Sequence, residues 1–318
     1  MSAIQRLGID LKLLENRAKE ISENQNQTKD AFAFKWAKRD TYESEAVKKA
    51  AAHWLLERYS DNDTSHLRKL LEEGGGKKII LDAGCGSGYS ALLFFGALLN
   101  EHDYLGVDIS DAVETARERF KEAGLNGGFI KSSILDLDFI PDSSIDIIFS
   151  EGVLHHTDST EEALKYLSGK LKSGGKFMFY VYRKKAVIRE FTDDYIREQL
   201  QVLSDEQAWE KLKPLTKLGI ALGELKVEID VPEDVDLLGI KKGKLDIQRF
   251  FYWNICKLFY RDDYNPEEMN HINFDWFRPL NCHRHTPEEI KQWCIEAGME
   301  ITSMNLQEAG ITVTAEKK

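Results

Sequence analysis

Apolar and polar positions along this 318-residue chain follow two rhythms. Residues 42–59 space their apolar side chains at the three-to-four-residue interval of a helix lying on a core. From Lys78 onward short apolar runs take over: IILDAGCG, YLGVDIS, GGFIKSSI, SIDIIFSEG and KFMFYVY. Between them lie stretches with helical spacing, SALLFFGALL at 90–99, DAVETARERFKEAG at 111–124 and residues 159–171, and the turn KSGG at 172–175. Five strand candidates alternating with helices within about a hundred residues predict an open, mostly parallel sheet covered on both faces.

The ends of the chain and its later third keep other patterns. Residues 11–23 read as a helix and 24–29 as a polar, flexible link to an N-terminal arm. After residue 183 the alternation stops. Residues 183–261 read as several helices, including the aromatic-rich LDIQRFFYWNICKLFYR at 245–261, and 265–285 as an irregular segment. Order returns at Thr286, where TPEEIKQWCIEAG carries Thr, Pro and Glu placed as a helix N-cap and first turn and ends on Gly298. EITSMNLQ and GITVTAE then fit an antiparallel edge. The expected fold is α/β, a seven-stranded doubly wound sheet, mostly parallel with an antiparallel last strand, plus a mainly helical cap insertion. The expected division is an N-terminal helical arm and lid (1–60), a Rossmann-like core (61–183), a substrate-binding helical cap (184–283) and the C-terminal part of the core (284–318).

Composition narrows the function classes. A hydrophobic content of 42% fills a substantial core. A net charge of −11 opposes a polyphosphate backbone, which makes a small molecule the expected partner and argues against nucleic acid. The longest apolar run, 91–99, is about half of the ~20 residues that cross a bilayer, so a buried helix and no membrane partner are expected. The N-terminus mixes charge with apolar residues and lacks the continuous apolar stretch of a secretory signal, and a cytoplasmic protein is expected. Four scattered cysteines are too few for a disulfide framework or a paired metal knuckle and read as reduced thiols.

Residues 80–88, ILDAGCGSG, run a strand into a glycine-rich turn and then a helix. Gly84, Gly86 and Gly88 let backbone approach a ligand that side chains would strike. Twenty residues after Gly88 stands Asp108, at the tip of the second strand, where a carboxylate accepts both hydroxyls of a ribose. The spacing differs from the G-x-G-x-x-G of dinucleotide sites, which seats a pyrophosphate.

With Asp82 the turn reads D-x-G-x-G-x-G and resembles class I, Rossmann-like, S-adenosylmethionine-dependent methyltransferases of the small-molecule type. The resemblance implies S-adenosylmethionine as cofactor, with its amino acid part held by Asp82, Gly84, Cys85, Gly86 and Gly88 and its ribose by Asp108, next to Ile109. Residues 132–157 resemble the family's third and fourth motifs. There the family often carries an acid against the adenine; here Ser133 takes that place, so Ser133 and Ile134 are expected to wall the adenine, with Asp136 as the alternative. KLKSGGKFMFYVY resembles the family's turn into strand five, with Ser173 in place of proline. DAFAFKWAKRDTYES resembles an aromatic segment that closes over the cofactor, making Trp36, with Phe34 and Tyr42, candidates for facing a sulfonium.

Methyl transfer needs a base only where the acceptor must lose a proton. Glu151, His155 and His156 follow the fourth strand at the ligand-facing end of the sheet and are the candidates, Glu151 also as a cofactor ligand. Tyr182 and Arg183 follow strand five, and the 265–285 segment concentrates His271, Asp275, Trp276, His283 and His285; these are the candidate substrate contacts. No metal is expected. O-methylation of a small metabolite is the leading expectation, N- or C-methylation follows, and a catalytically silent cofactor-binding subunit is the alternative.

Overall fold

The computed structural model describes residues 2–14 and 21–318. Leu11–Leu13 forms a short 3-10 turn, and the rest of the helix expected at 11–23 lies mostly outside the described residues. The polar link expected at 24–29 is instead the first half of the helix Glu23–Ala37. Ser22 starts it, its hydroxyl accepting the Gln25 amide at 2.9 Å, and Thr28, Ala31 and Lys35 are buried at helical spacing. The polar run winds around the helix, and Thr28 within it is buried.

Among the described residues nine strands follow in chain order: β1 Ile79–Ala83, β2 Asp103–Asp108, β3 Gly128–Lys131, β4 Ile145–Glu151, β5 Leu171–Tyr182, β6 Glu228–Val231, β7 Gly243–Asp246, β8 Met299–Leu306 and β9 Gly310–Lys317. Seven of them form one sheet in the order β3-β2-β1-β4-β5-β9-β8. β1 to β5 are mutually parallel, and β9 inserts antiparallel between β5 and β8. This is the expected fold, with the reversal at β9 and the edge at β8. β1 is buried along its whole length, as a strand covered on both faces must be. The KSGG turn lies inside β5, where the pairing with β4 shifts register and Gly174 takes φ +77°.

The expected helix at 90–99 is divided. Tyr89–Phe94 is helical, Gly96 takes φ +51°, and a 3-10 turn, Gly96–Glu101, completes the segment.

The chain forms two compact units, one of residues 1–37, 49–183 and 283–318 and a second of 38–48 and 184–282. The second contains the helices Val187–Leu200, Asp205–Glu224, Ile247–Asn254 and Pro266–Phe277, and the β6–β7 hairpin. Two expectations change here. The helix expected at 245–261 covers only Ile247–Asn254, and the supposedly irregular 265–285 begins with the helix Pro266–Phe277. Asn265 accepts the Glu267 and Glu268 amides while Glu268 returns a bond to the Asn265 amide, a complete capping box behind a proline.

Candidate active site

The turn after β1 is built on the tip of β2. Gly84 and Cys85 both donate their amides to the Val107 carbonyl, at 2.8 and 3.0 Å, so the chain folds back over the residue preceding Asp108. Asp108 then accepts the Gly86 amide at 2.9 Å on one carboxylate oxygen, and the Ser110 amide and hydroxyl at 2.8 and 2.6 Å on the other. The expected ribose acceptor and the glycine turn are therefore in direct contact.

Gly84 and Gly86 have φ of +87° and +50°, and neither has room for a side chain. A Cβ at Gly84 would lie 2.3 Å from Val153, and one at Gly86 2.8 Å from the Trp36 indole nitrogen. The aromatic N-terminal segment thus packs its Trp36 onto the turn. The Lys35 ammonium lies 4.0 Å from the centroid of that ring, so one face of the indole already meets a cation. In the same turn the Ser87 hydroxyl is fully buried and has no hydrogen-bond partner among the described residues. A sealed donor in a turn of this geometry fits a ligand that completes its bonding. Cys85 is no nucleophile: burial first, then the charges of Asp82 and Asp108, push its thiol far up.

Asp82 is 3% exposed and accepts the Tyr104 hydroxyl at 2.6 Å. Burial lifts its pKa to about 7; the Tyr104 bond works against the rise, and Asp108 and Glu151 add to it. Between pH 4 and 7 the folded protein therefore holds a proton that the unfolded chain has released. Stability falls as pH rises through that window and levels off above it. Asp82→Asn keeps an acceptor for Tyr104 without the charge. It is expected to be roughly 2 kcal/mol more stable than the parent at pH 8, with the gain vanishing near pH 4; urea unfolding at the two pH values checks this, and a gain that persists at pH 4 would count against it.

Glu151, at the end of β4, is engaged on both oxygens. Arg58 donates to one at 2.5 Å and Tyr59 to the other at 2.6 Å, while the Arg58 guanidinium lies 4.0 Å from the Tyr180 ring centroid. Burial works against the Arg58 charge, but Tyr180, Glu151 and Tyr59 together raise its pKa; burial, then Glu151, drives that of Tyr59 far up. The arrangement fits a carboxylate that shapes the β4 tip.

His155 and His156 are buried in a short turn after β4. The His155 ring centroid is 3.8 Å from that of Tyr182, and His156 meets Phe32 edge to face at 4.8 Å. His283 donates its amide to the His155 carbonyl and sets its Nε2 3.0 Å from the Thr157 carbonyl. His285 bonds the Tyr182 carbonyl through its amide, contacts the Thr160 hydroxyl at 2.9 Å and forms a bridge with Arg183. Of the expected residues, His155, His156, Tyr182, Arg183, His283 and His285 are thereby gathered with Glu151 at the ends of β4 and β5. His271, Asp275 and Trp276 belong to the second unit, where His271 Nδ1 meets the Thr41 hydroxyl at 2.7 Å and Trp276 donates to Asp193 at 2.7 Å. Ser133 accepts the Leu135 amide just past β3, and Ile134 beside it is 6% exposed. Asp136 donates its amide to the Ser133 carbonyl, and Ile109 is half-buried after Asp108.

Sequence reasoning missed Arg58, Tyr59, Tyr104, Ser110 and Ser87. Two had a local signal: Ser87 lies inside the glycine-rich turn itself, and Ser110 belongs to an Asp-x-Ser turn in which the carboxylate takes the amide two residues on.

Residues 81–179 match the family model described as methyltransferase domain. An Encephalitozoon cuniculi protein whose name provisionally makes it a methyltransferase is 31% identical over 138 residues, 42% of this chain and 55% of that protein. A Bacillus subtilis protein named as an uncharacterised methyltransferase is 33% identical over 101 residues, 31% of this chain and 38% of that one. The chain thus spans about half or less of these relatives. Among solved structures, magnesium protoporphyrin IX methyltransferase from Synechocystis with bound S-adenosylmethionine matches at 11% identity with a TM-score of 0.50, covering 95% of this chain and 100% of that one; this likeness shows the fold. The turn, the carboxylate and the sheet order agree with that match, and residues 81–179 carry a methyltransferase domain within a Rossmann-like sheet.

Proposed function

We propose that the chain as a whole transfers a methyl group from S-adenosylmethionine to a small molecule, with a hydroxyl oxygen as the first-choice acceptor and nitrogen or carbon next. The observation that carries this is the Asp108 carboxylate, 2.9 Å from the Gly86 amide and partly buried at the tip of β2. In this reading Asp108 takes the ribose hydroxyls, the turn from Gly84 to Gly88 with Ser87 takes the amino acid end, and Ser133 with Ile134 lies along the adenine. The bound cofactor supplies an electrophilic methyl on a positively charged sulfur, so the protein's work is to place a nucleophile in line and exclude water. Trp36 and Val153, packed on the turn, exclude water there. A hydroxyl acceptor also needs a proton removed, and the imidazoles of His155 and His156, past β4, are the groups proposed to take it.

Glu151 enters as a structural carboxylate, because Arg58 and Tyr59 already occupy it. Acceptor recognition falls to the second unit, for which no family pattern accounts, and the charge of −11 favours a small acceptor over a nucleic acid. Calorimetric titration is expected to give S-adenosylhomocysteine a Kd of about 1–100 μM and NAD no saturable binding. Incubation with methyl-labelled cofactor and a library of hydroxylated, amino and carbon acids then reads the product mass. Cofactor binding without transfer to any of them favours the catalytically silent subunit.

A further inference from the structure

The second unit gathers cations around one indole. Trp276, 3% exposed, has the Lys257 ammonium at 4.7 Å from its ring centroid, the Arg189 and Arg197 guanidinium carbons at 5.3 and 5.1 Å, and the Lys185 ammonium at 5.6 Å. The carboxylate at its centre, Asp193, is engaged on both oxygens. It takes Arg189 Nε at 2.9 Å and the Trp276 indole N–H at 2.7 Å on one oxygen, and the Lys257 backbone amide at 3.2 Å on the other. Arg197 points its guanidinium at the Trp276 carbonyl and at Asp194.

Lys257 is the member left over. It is 6% exposed, and among the described residues its ammonium makes neither a hydrogen bond nor an ion pair; its polar contact is with the ring. Beside that ring the side chain keeps only a trace of solvent exposure. Burial pulls its pKa down to about 8; Arg189 adds to the fall, while Asp275 and Asp193 oppose it from outside ion-pair distance. Burial, then Arg189, also lowers Lys185, with Lys257 contributing. A lysine buried beside other cations, without a carboxylate of its own, costs stability unless an anion arrives to meet it.

We propose that the second unit carries an oxyanion-binding site in which the Lys257 ammonium, over the Trp276 ring and flanked by Lys185, pairs with a carboxylate or phosphate group of a small ligand. Calling that ligand the methyl acceptor rests on the function proposed above; the site itself does not.

The test uses the full chain with benzoate and inorganic phosphate as separate probes, followed by calorimetry, and with S-adenosylhomocysteine as an independent ligand. The parent protein is expected to bind at least one of the two anions saturably in the millimolar range or tighter, and the stronger probe names the group. Lys257→Met is expected to weaken that binding at least tenfold and to leave S-adenosylhomocysteine affinity within twofold, which also reports a folded chain. Lys257→Gln serves if the methionine variant does not fold, and Lys257→Arg retains binding. No saturable binding of either anion by the parent, or equal binding by the Met or Gln variant, overturns the proposal. Loss of S-adenosylhomocysteine binding in the parent with anion binding intact overturns the methyltransferase reading alone.

Discussion

Asp108→Ala is expected to weaken S-adenosylhomocysteine binding by roughly 30- to 1,000-fold, equivalent to about 2–4 kcal/mol. Two charge-assisted bonds to a ribose account for that size, each worth about 1.5–3 kcal/mol where water is largely excluded. The carboxylate also has duties without ligand, since it holds the Gly86 amide and caps Ser110. Its removal therefore loosens the turn as well as deleting the acceptor. Asp108→Asn separates the two, because the amide oxygen still takes the Gly86 N–H while its NH2 faces a donor at Ser110. Its affinity should fall between those of the parent and the alanine variant. Burial raises the Asp108 pKa against the pull of the Ser110 and Gly86 bonds, so binding should also decline in acid, where protonation removes an acceptor. A loss below threefold in the alanine variant, measured by calorimetry, would remove the ribose assignment.

The largest stability effect is expected at Arg58. Its side chain and that of Glu151 are 15% and 11% exposed, and the pair lies against Tyr180. Arg58→Met leaves a nearly buried carboxylate with Tyr59 as its remaining donor, and breaking one side of such a pair costs about 3–5 kcal/mol. The cost arises from the stranded Glu151 charge more than from the lost attraction. Adding Glu151→Gln should therefore restore at least half of the loss, because the neutral amide still accepts the Tyr59 hydroxyl. Urea unfolding of the parent, both single variants and the double variant closes the cycle. Loss within 1 kcal/mol in Arg58→Met would show the pair to be solvated and of surface strength.

The same two sites mark how far the sequence was readable. Asp108 and the glycine turn were legible because their chemistry is local: a strand, three glycines and a carboxylate twenty residues on leave few other folds. The β5 to β9 reversal was legible from the apolar runs and the capped helix at Thr286. Arg58 and Tyr59 were not, since they reach Glu151 from 93 and 92 residues away and nothing near them in the chain announces it. The capping signal misread at Asn265 is instructive, because Asn-Pro-Glu-Glu there repeats the logic of Thr-Pro-Glu-Glu at 286. What hid it was the density of aromatic and histidine side chains that followed, which suggested a binding loop. Most of them are buried within the helix Pro266–Phe277. Residues 24–29 failed for the opposite reason: with few apolar positions, a helix held by its cap and its partners leaves little trace in a hydropathy pattern.

The placement of β9 has a cost during synthesis. β5 is a central strand, with Phe177, Met178, Phe179 and Val181 all fully buried, yet its neighbour on one side comes from residues 310–317. Until the ribosome has delivered that segment, a long apolar strand stands with one row of amide and carbonyl groups open, a template for pairing with a neighbouring nascent chain. The roughly hundred residues of the second unit prolong that interval by about 5–20 s at ordinary elongation rates.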